Sequence, residues 1–331
     1  MKDILRQLFE YKTLSRQEAE EVLRQIASGQ VNETQMAVFL AVFLMRSITI
    51  EELVGFREAL KSLAIPVDLS EYDTIDLCGT GGDEKNTFNI STLASFVVAG
   101  TGSKVAKHGN YGVSSACGSS NVLEYFGYKF SNDQSKLKSE IEEAGICFLH
   151  APLFNPAMKN VAPIRRQLGV KTFFNILGPM INPSSPKNQL AGVFSLELAR
   201  MYTYLYQELD VNFAIIHSLD GYDEISLTSP FKLITNLGER ILEPSDLGFN
   251  RIVPAEIYGG NTVDESAGIF QRIINGNGTA AQENVVIANS AIALTLMHPG
   301  QSLDDCLAMA RESLESGTAL LSFNRLIEMN Q

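Results

Sequence analysis

TIDLC at 74–78 is a short apolar run that leads straight into Gly79-Thr80-Gly81-Gly82-Asp83, and STLASFVVAG at 91–100 has helical character. A strand, a glycine turn and a helix start in that order constrain the chain strongly. Backbone N–H groups in the turn are left to bind whatever sits there, and the helix dipole favours negative charge. Glycine lets the backbone take positive φ and approach a phosphate closely. Ser91 and Thr92 can cap the helix or donate hydroxyls to an anion. The stretch fits neither GxGxxG, which needs glycine where Glu84 stands, nor GxxxxGKS/T. Asp83 would repel phosphate and suits a ribose hydroxyl or a bridging metal. Alone, Gly-Gly-Asp is an ordinary turn.

Two further loops accompany it. KVAKHGNYGVSSACGSS at 104–120 follows a second strand with Lys104, Lys107, His108, Asn110, Ser114, Ser115, Ser119 and Ser120. Cations, small hydroxyls and glycines together suit pyrophosphate. DGYDEIS at 220–226 follows the strand that ends in His217-Ser218. An Asp-Glu pair by itself is usually a solvated turn. Asp223 and Glu224 are nevertheless able to hold Mg2+, which takes few carboxylates and shares its other positions with water and phosphate.

The expected organisation is α/β. Strands are expected at 74–78, 104–108, 146–150, 190–194, 212–218 and 231–237. Helices are expected near 119–127, 196–209, 262–275, 284–297 and 303–316. That alternation implies a central, mostly parallel sheet. The first 65 residues read differently. Ser15 with Glu18, Asn32 with Gln35 and Thr49 with Glu52 each mark a helix start, with no strand-like alternation between them. A small all-helical N-terminal domain is therefore expected over 1–68, followed by a large α/β domain over 69–331. AIPVDLSEYD at 64–73 reads as the linker. The stretch 158–186 holds four prolines and paired arginines, and part of 155–185 is expected to return to the helical domain or to hinge beside it.

Composition narrows the function classes. The net charge of −12 argues against a nonspecific nucleic-acid or membrane binder. It leaves open a small anionic ligand in a local pocket. MAVFLAVFLM at 36–45 is too short to span a bilayer, which takes about 20 residues, and is a plausible dimer interface. The N-terminus lacks a signal-peptide apolar core, so a cytoplasmic protein is expected. Cys78, Cys117, Cys147 and Cys306 are widely spaced without CxxC and read as buried free thiols. His217, in an apolar strand, and His298, at a helix end, read as structural.

GTGGD at 79–83, TFNIST at 87–92, KHGN at 107–110, NPAMKNVAPIRRQLGVKTFFNILGPMINP at 155–183 and DGYDEIS at 220–226 together resemble the anthranilate phosphoribosyltransferase family. The resemblance runs from the N-terminal helices to near the C-terminus. It implies a fold of the nucleoside phosphorylase/phosphoribosyltransferase type, a site in the cleft between a helical and an α/β domain, and a homodimer formed through the N-terminal helices. The implied reaction joins the phosphoribosyl group of PRPP to the amine of anthranilate and releases pyrophosphate, with Mg2+ as cofactor, in tryptophan biosynthesis. Carried over by motif, Gly79, Gly82, Asp83, Thr87, Asn89, Ile90, Ser91, Thr92, Lys107, Ser115 and Ser119 would line PRPP. Ser91, Asp223 and Glu224 would serve Mg2+. Gly79, His108, Asn110 and Arg165 would meet anthranilate. Tyr111, Ala116-Cys117 and Asn155 stand where the family commonly has Arg, Lys-Ser and His.

The chemistry agrees with this. Departure of pyrophosphate from C1 gives an oxocarbenium-like transition state, so charge growing on the leaving oxygens must be stabilised. The amine of anthranilate is already a competent nucleophile, and a strong general base is unnecessary. Arg165 suits a two-pronged bond to the anthranilate carboxylate. Two other readings compete. A pyrimidine nucleoside phosphorylase shares the architecture, but its TGGTxDKLE-like stretch is missing where this chain has SSNVLEYFG. A noncatalytic nucleic-acid-binding relative would want a basic groove, against the charge of −12.

Overall fold

The computed structural model describes residues 1–112 and 116–330. The chain forms two compact units, Met1–Val67 with Ala151–Pro183, and Asp68–His150 with Ser184–Gln331.

The first unit is helical. Helices run over Lys2–Phe9, Arg16–Ala27, Glu33–Met45 and Ile50–Leu63. The last three begin where the sequence places their caps. Ser15 accepts from the Glu18 amide, Asn32 from Gln35 and Thr49 from Glu52, and the first and third complete the reciprocal box. The segment 151–183 adds the Ala162–Leu168 helix and short 3-10 turns. Its Phe173 joins the aromatic core of the bundle, stacked on Phe56 at 4.4 Å and edge-on to Phe43 at 5.2 Å. Polar ties fasten it as well: Arg57 Nε donates to the Met180 carbonyl at 3.1 Å, and Asn160 Nδ2 to that of Ala27 at 2.7 Å.

The second unit is built on a seven-stranded sheet in the order β3-β2-β1-β4-β5-β6-β7. The strands are β1 (Thr74–Gly79), β2 (Lys104–Gly109), β3 (Ile146–His150), β4 (Asn188–Gly192), β5 (Asn212–Ser218), β6 (Phe231–Thr235) and β7 (Gly238–Leu242). The first five are parallel, and β6 and β7 add an antiparallel hairpin. β3 and β4 are buried along their whole length, as parallel strands covered on both faces must be. The expected strand at 190–194 starts two residues earlier, at Asn188, and the one expected over 231–237 turns back at Thr235 into β7. Helices at Gln134–Ala144 and Thr318–Glu328 join those the sequence suggested.

The connections decide where a ligand belongs. From β1 the chain moves outward to β2 and β3, then returns to the other side of β1 with β4. Strand order therefore reverses between β1 and β4, and the crevice outside the carboxyl ends of strands at such a reversal is where open α/β sheets bind ligands. Gly79 and Gly192 end these two strands and are paired in register.

Candidate functional site

The glycine loop leaves β1 at this reversal point. Thr80 N–H donates to the Gly192 carbonyl at 2.9 Å, extending the β1–β4 ladder by one bond. Gly81 and Gly82 then take φ of +65° and +82°, and Glu84, a rare non-glycine, takes +60°. Residues 86–88 are clamped to a segment the sequence did not single out. The Gly259 amide donates to the Asn86 carbonyl at 2.7 Å, Asn86 Nδ2 to the Gly260 carbonyl at 2.6 Å, and Thr87 bridges Tyr258. Ile90 opens the Ile90–Gly100 helix with Asn89 before it. Ser91 and Thr92, the expected cap residues, fall inside the first turn. Asn89 makes no side-chain cap bond and donates instead to the Cys117 carbonyl at 3.0 Å, tying the first loop to the second. Thr92 is buried within the first turn.

The three loops meet. The Gly81 N–H donates to Asp223 Oδ2 at 2.6 Å, although the two are 142 residues apart in sequence. Asp83 lies within hydrogen-bond reach of Asp223 and takes the Lys85 amide at 3.0 Å. The amide and hydroxyl of Ser91 lie within hydrogen-bond reach of Glu224. Lys107, buried on β2, donates to the Leu77 carbonyl at 2.6 Å and reaches Ser91 Oγ at 3.5 Å. The anion held at the start of the Ile90–Gly100 helix is thus the chain's own Glu224.

Crowding buried carboxylates raises their proton affinity. Burial, then Asp83 and Glu224, push Asp223 well above the usual carboxylate range. Burial also raises Asp83. Burial pushes Glu224 up to about 7, against the opposing pull of Lys107 and Ser91. Among the described residues, no group of three or more His, Cys, Asp or Glu is disposed to hold a metal unaided. What the site offers is two adjacent carboxylates and a serine hydroxyl.

The second loop runs on from β2. The His108 amide donates to Asp76 Oδ1 at 3.1 Å, and both residues are buried. Asn110 is exposed; its carbonyl takes the Ser120 amide at 3.1 Å and the Ser119 hydroxyl at 3.3 Å. Ser114 and Ser115 lie outside the described residues. Tyr111 sets its ring edge-on to His150 at 5.0 Å, and His150 is further held by Ser120 and stacked on Phe130.

Arg165 lies in the helical unit and the other named residues in the α/β unit. It is half-buried, whereas Arg166 is exposed. Arg165 Nη2 donates to Asn175 Oδ1 at 3.1 Å, its guanidinium lies over the Phe174 ring at 5.3 Å, and burial lowers its pKa. His217 bonds the Val193 carbonyl and His298 bonds Ser103, both within the fold. None of the four cysteines is in a disulfide; three are buried, but Cys78, at the end of β1, is only partly so.

Sequence reasoning missed Gly192, Asp76, the 257–260 clamp and Asn289. The glycine inside LAGVF and the asparagine inside the apolar VVIANSAIAL were the available signals. Among the described residues, no helix is long and apolar enough to cross a membrane.

The a/b domain of the glycosyl transferase family matches residues 71–320, and that family's helical bundle domain matches residues 2–64. The anthranilate phosphoribosyltransferase of Flavobacterium johnsoniae is 61% identical over 333 residues, covering 100% of both chains. That of Bacteroides fragilis is 53% identical over 330 residues, again covering 100% of both. Among solved structures, anthranilate phosphoribosyltransferase from Thermus thermophilus matches with a TM-score of 0.91 at 32% identity, covering 98% of each chain. The Saccharomyces cerevisiae enzyme in complex with PRPP and Mg matches with a TM-score of 0.90 at 27% identity, covering 98% of this chain and 96% of that one. Likeness of this degree extends over both units and through all three loops: the chain belongs to the anthranilate phosphoribosyltransferase family.

Proposed function

We propose that this chain transfers the phosphoribosyl group of PRPP to anthranilate, giving N-(5-phosphoribosyl)anthranilate and pyrophosphate, a step of tryptophan biosynthesis. The observation that carries the site assignment is the meeting of the three loops around Asp223 and Glu224, at the reversal point of the sheet. The names of the full-length relatives favour this reaction over a nucleoside phosphorylase or a nucleic-acid-binding relative.

On this reading Gly79, Gly82, Asp83, Thr87, Asn89, Ile90, Ser91, Thr92, Lys107, Ser115 and Ser119 line PRPP. The donor set fits a divalent cation. A buried and a half-buried carboxylate, both with raised proton affinity, gain by exchanging protons for a metal, and the Ser91 hydroxyl adds a neutral oxygen. When bound, Mg2+ neutralises charge on the pyrophosphate oxygens. Lys107 places a fixed positive charge beside Glu224 and Ser91. Backbone N–H groups of the glycine loop add dipoles that need no reorganisation during reaction.

Anthranilate is assigned to Gly79, His108, Asn110 and Arg165. Asn175 orients the Arg165 guanidinium, leaving a planar fork suited to a carboxylate. Leu44 and Met45, exposed apolar residues of the Glu33–Met45 helix, support a homodimer through the N-terminal helices. Anthranilate fluorescence tests the reaction. It should fall only when protein, PRPP and Mg2+ are all present. Persisting fluorescence, with free base released from thymidine and phosphate, would move the assignment to the phosphorylase.

A further inference from the structure

We infer that Asn289 is a positioning residue for the Asp223–Glu224 pair, holding from behind the backbone that carries both carboxylates. This rests on the reading of that pair as the Mg2+ holder.

Asn289 sits in the middle of the Ala280–Met297 helix, buried in an otherwise largely apolar stretch. Its Oδ1 accepts the Ile225 amide at 3.0 Å. Its Nδ2 donates to the Ile225 carbonyl at 2.9 Å and to the Val285 carbonyl of its own helix at 2.8 Å. One side chain therefore grips both polar groups of the residue next to Glu224, as a neighbouring strand would. The bond to Val285 fixes the amide in turn. Asparagine is a poor helix former and its amide is costly to bury unless fully bonded. An apolar residue would fill the space, but it could not hold Ile225.

A second anchor completes the run. Ser218, the last residue of β5, donates its hydroxyl to the Glu224 carbonyl at 2.7 Å and accepts the Ser226 amide at 3.2 Å. The backbone of residues 224, 225 and 226 is thus held at each position. The Asn289 helix also packs on the Ile90–Gly100 helix, where Ser290 Oγ lies 3.5 Å from the Ala94 carbonyl. That neighbour carries Ser91, the hydroxyl partner of Glu224. Asn289, Ser91, Glu224 and Cys78 line one small space at the carboxyl edge of the sheet. The Ala280–Met297 helix is therefore the frame that sets Glu224 against Ser91. Groups that orient metal ligands typically control affinity by about 10- to 100-fold.

The test is Mn2+ binding, read by electron paramagnetic resonance with PRPP present and anthranilate absent. Asn289→Ala should weaken Mn2+ binding about tenfold or more and raise the KM for PRPP, while the KM for anthranilate changes little. Thr295→Ala removes a half-buried hydroxyl bonded to Ile292 on the same helix and should leave Mn2+ affinity unchanged. Should Asn289→Ala fail to fold, Ser218→Ala removes the other anchor of the same run and should weaken Mn2+ in the same direction. Wild-type Mn2+ affinity in the folded variant, or an equal loss in Thr295→Ala, overturns the inference. Asp223→Asn with Glu224→Gln separates the two levels. If that variant still binds Mn2+ normally, the assignment of the metal site itself falls. If it does not, failure of the Asn289 result falls on the positioning role alone.

Discussion

Asp223 is the residue on which the site's geometry turns, and two glycines make its position possible. A Cβ at Gly79 would stand 2.5 Å from Asp223 Oδ2, and one at Gly192 would collide with the Asp223 carbonyl oxygen. The first is a clash with a side-chain end that can swing away. The second is a clash with backbone, which cannot move without carrying Glu224 along. Gly192→Ala should therefore be the more damaging change. We expect it to lower kcat/KM by at least about tenfold, the cost of roughly 1.4 kcal/mol of misplacement, and to lower the thermal midpoint as well. Steady-state rates and a melting curve on the same sample check this. Normal activity in Gly192→Ala would mean that the close packing of the third loop on β4 is irrelevant to catalysis.

Among the elements, the helix starts show how one residue can serve several functions. Glu52 completes the Thr49 box by taking that residue's amide at 2.9 Å, yet it is fully buried and also accepts the Leu14 amide at 2.9 Å and both terminal nitrogens of Arg46. Burial raises its proton affinity, but Arg46 and the two amides outweigh that, and its pKa lies below 4.5. Stability from Glu52 is thus complete above pH 4.5 and is lost as pH falls through its lowered folded-state value. Glu52→Gln should destabilise by about 3 kcal/mol at pH 7. It should also lose less further stability than the wild type on acidification below pH 4.5. Denaturant melts at two pH values read both effects; parallel losses in the two proteins would remove Glu52 from the account. Such caps were legible because a box is a local pattern, and the glycine loop was legible because strand, turn and helix start are contiguous. Non-local pairing was hidden. Nothing in YGGN at 258–261 announces that it clamps 86–88, and GERIL carries no alternation because β7 is exposed at all but Leu242. Lys107 reads as a cation suited to pyrophosphate, but nothing local shows that it is buried with its ammonium on the Leu77 carbonyl. Adjacent arginines look alike by composition; the motif singles out Arg165, and its half-burial, its bond to Asn175 and its place over Phe174 set it apart from exposed Arg166.

For the whole molecule, the proposed roles draw on both units: Arg165, the proposed partner of the anthranilate carboxylate, belongs to the helical unit, and the proposed metal-holding pair to the α/β unit. Arg165 is bonded within the helical unit, to Asn175 and over Phe174. Asp223 and Glu224 are bonded within the α/β unit, to Gly81 and Ser91. A charge-assisted bond to a carboxylate contributes about 1.5–3 kcal/mol, so Arg165→Ala should raise the KM for anthranilate roughly 10- to 100-fold while changing that for PRPP far less. Asp223→Asn with Glu224→Gln should do the reverse, shifting the Mg2+ titration and the KM for PRPP. Because the described bonds of the two sets share no residue, their free-energy losses should add, and the combined variant should lose kcat/KM by the product of the separate factors. Both KM values, measured across a Mg2+ series for the three variants, decide the matter. Equal effects of Arg165→Ala on the two substrates would remove it from the anthranilate site. A combined loss well short of the product would show that the two sets act as one unit, and that acceptor and donor are not held independently.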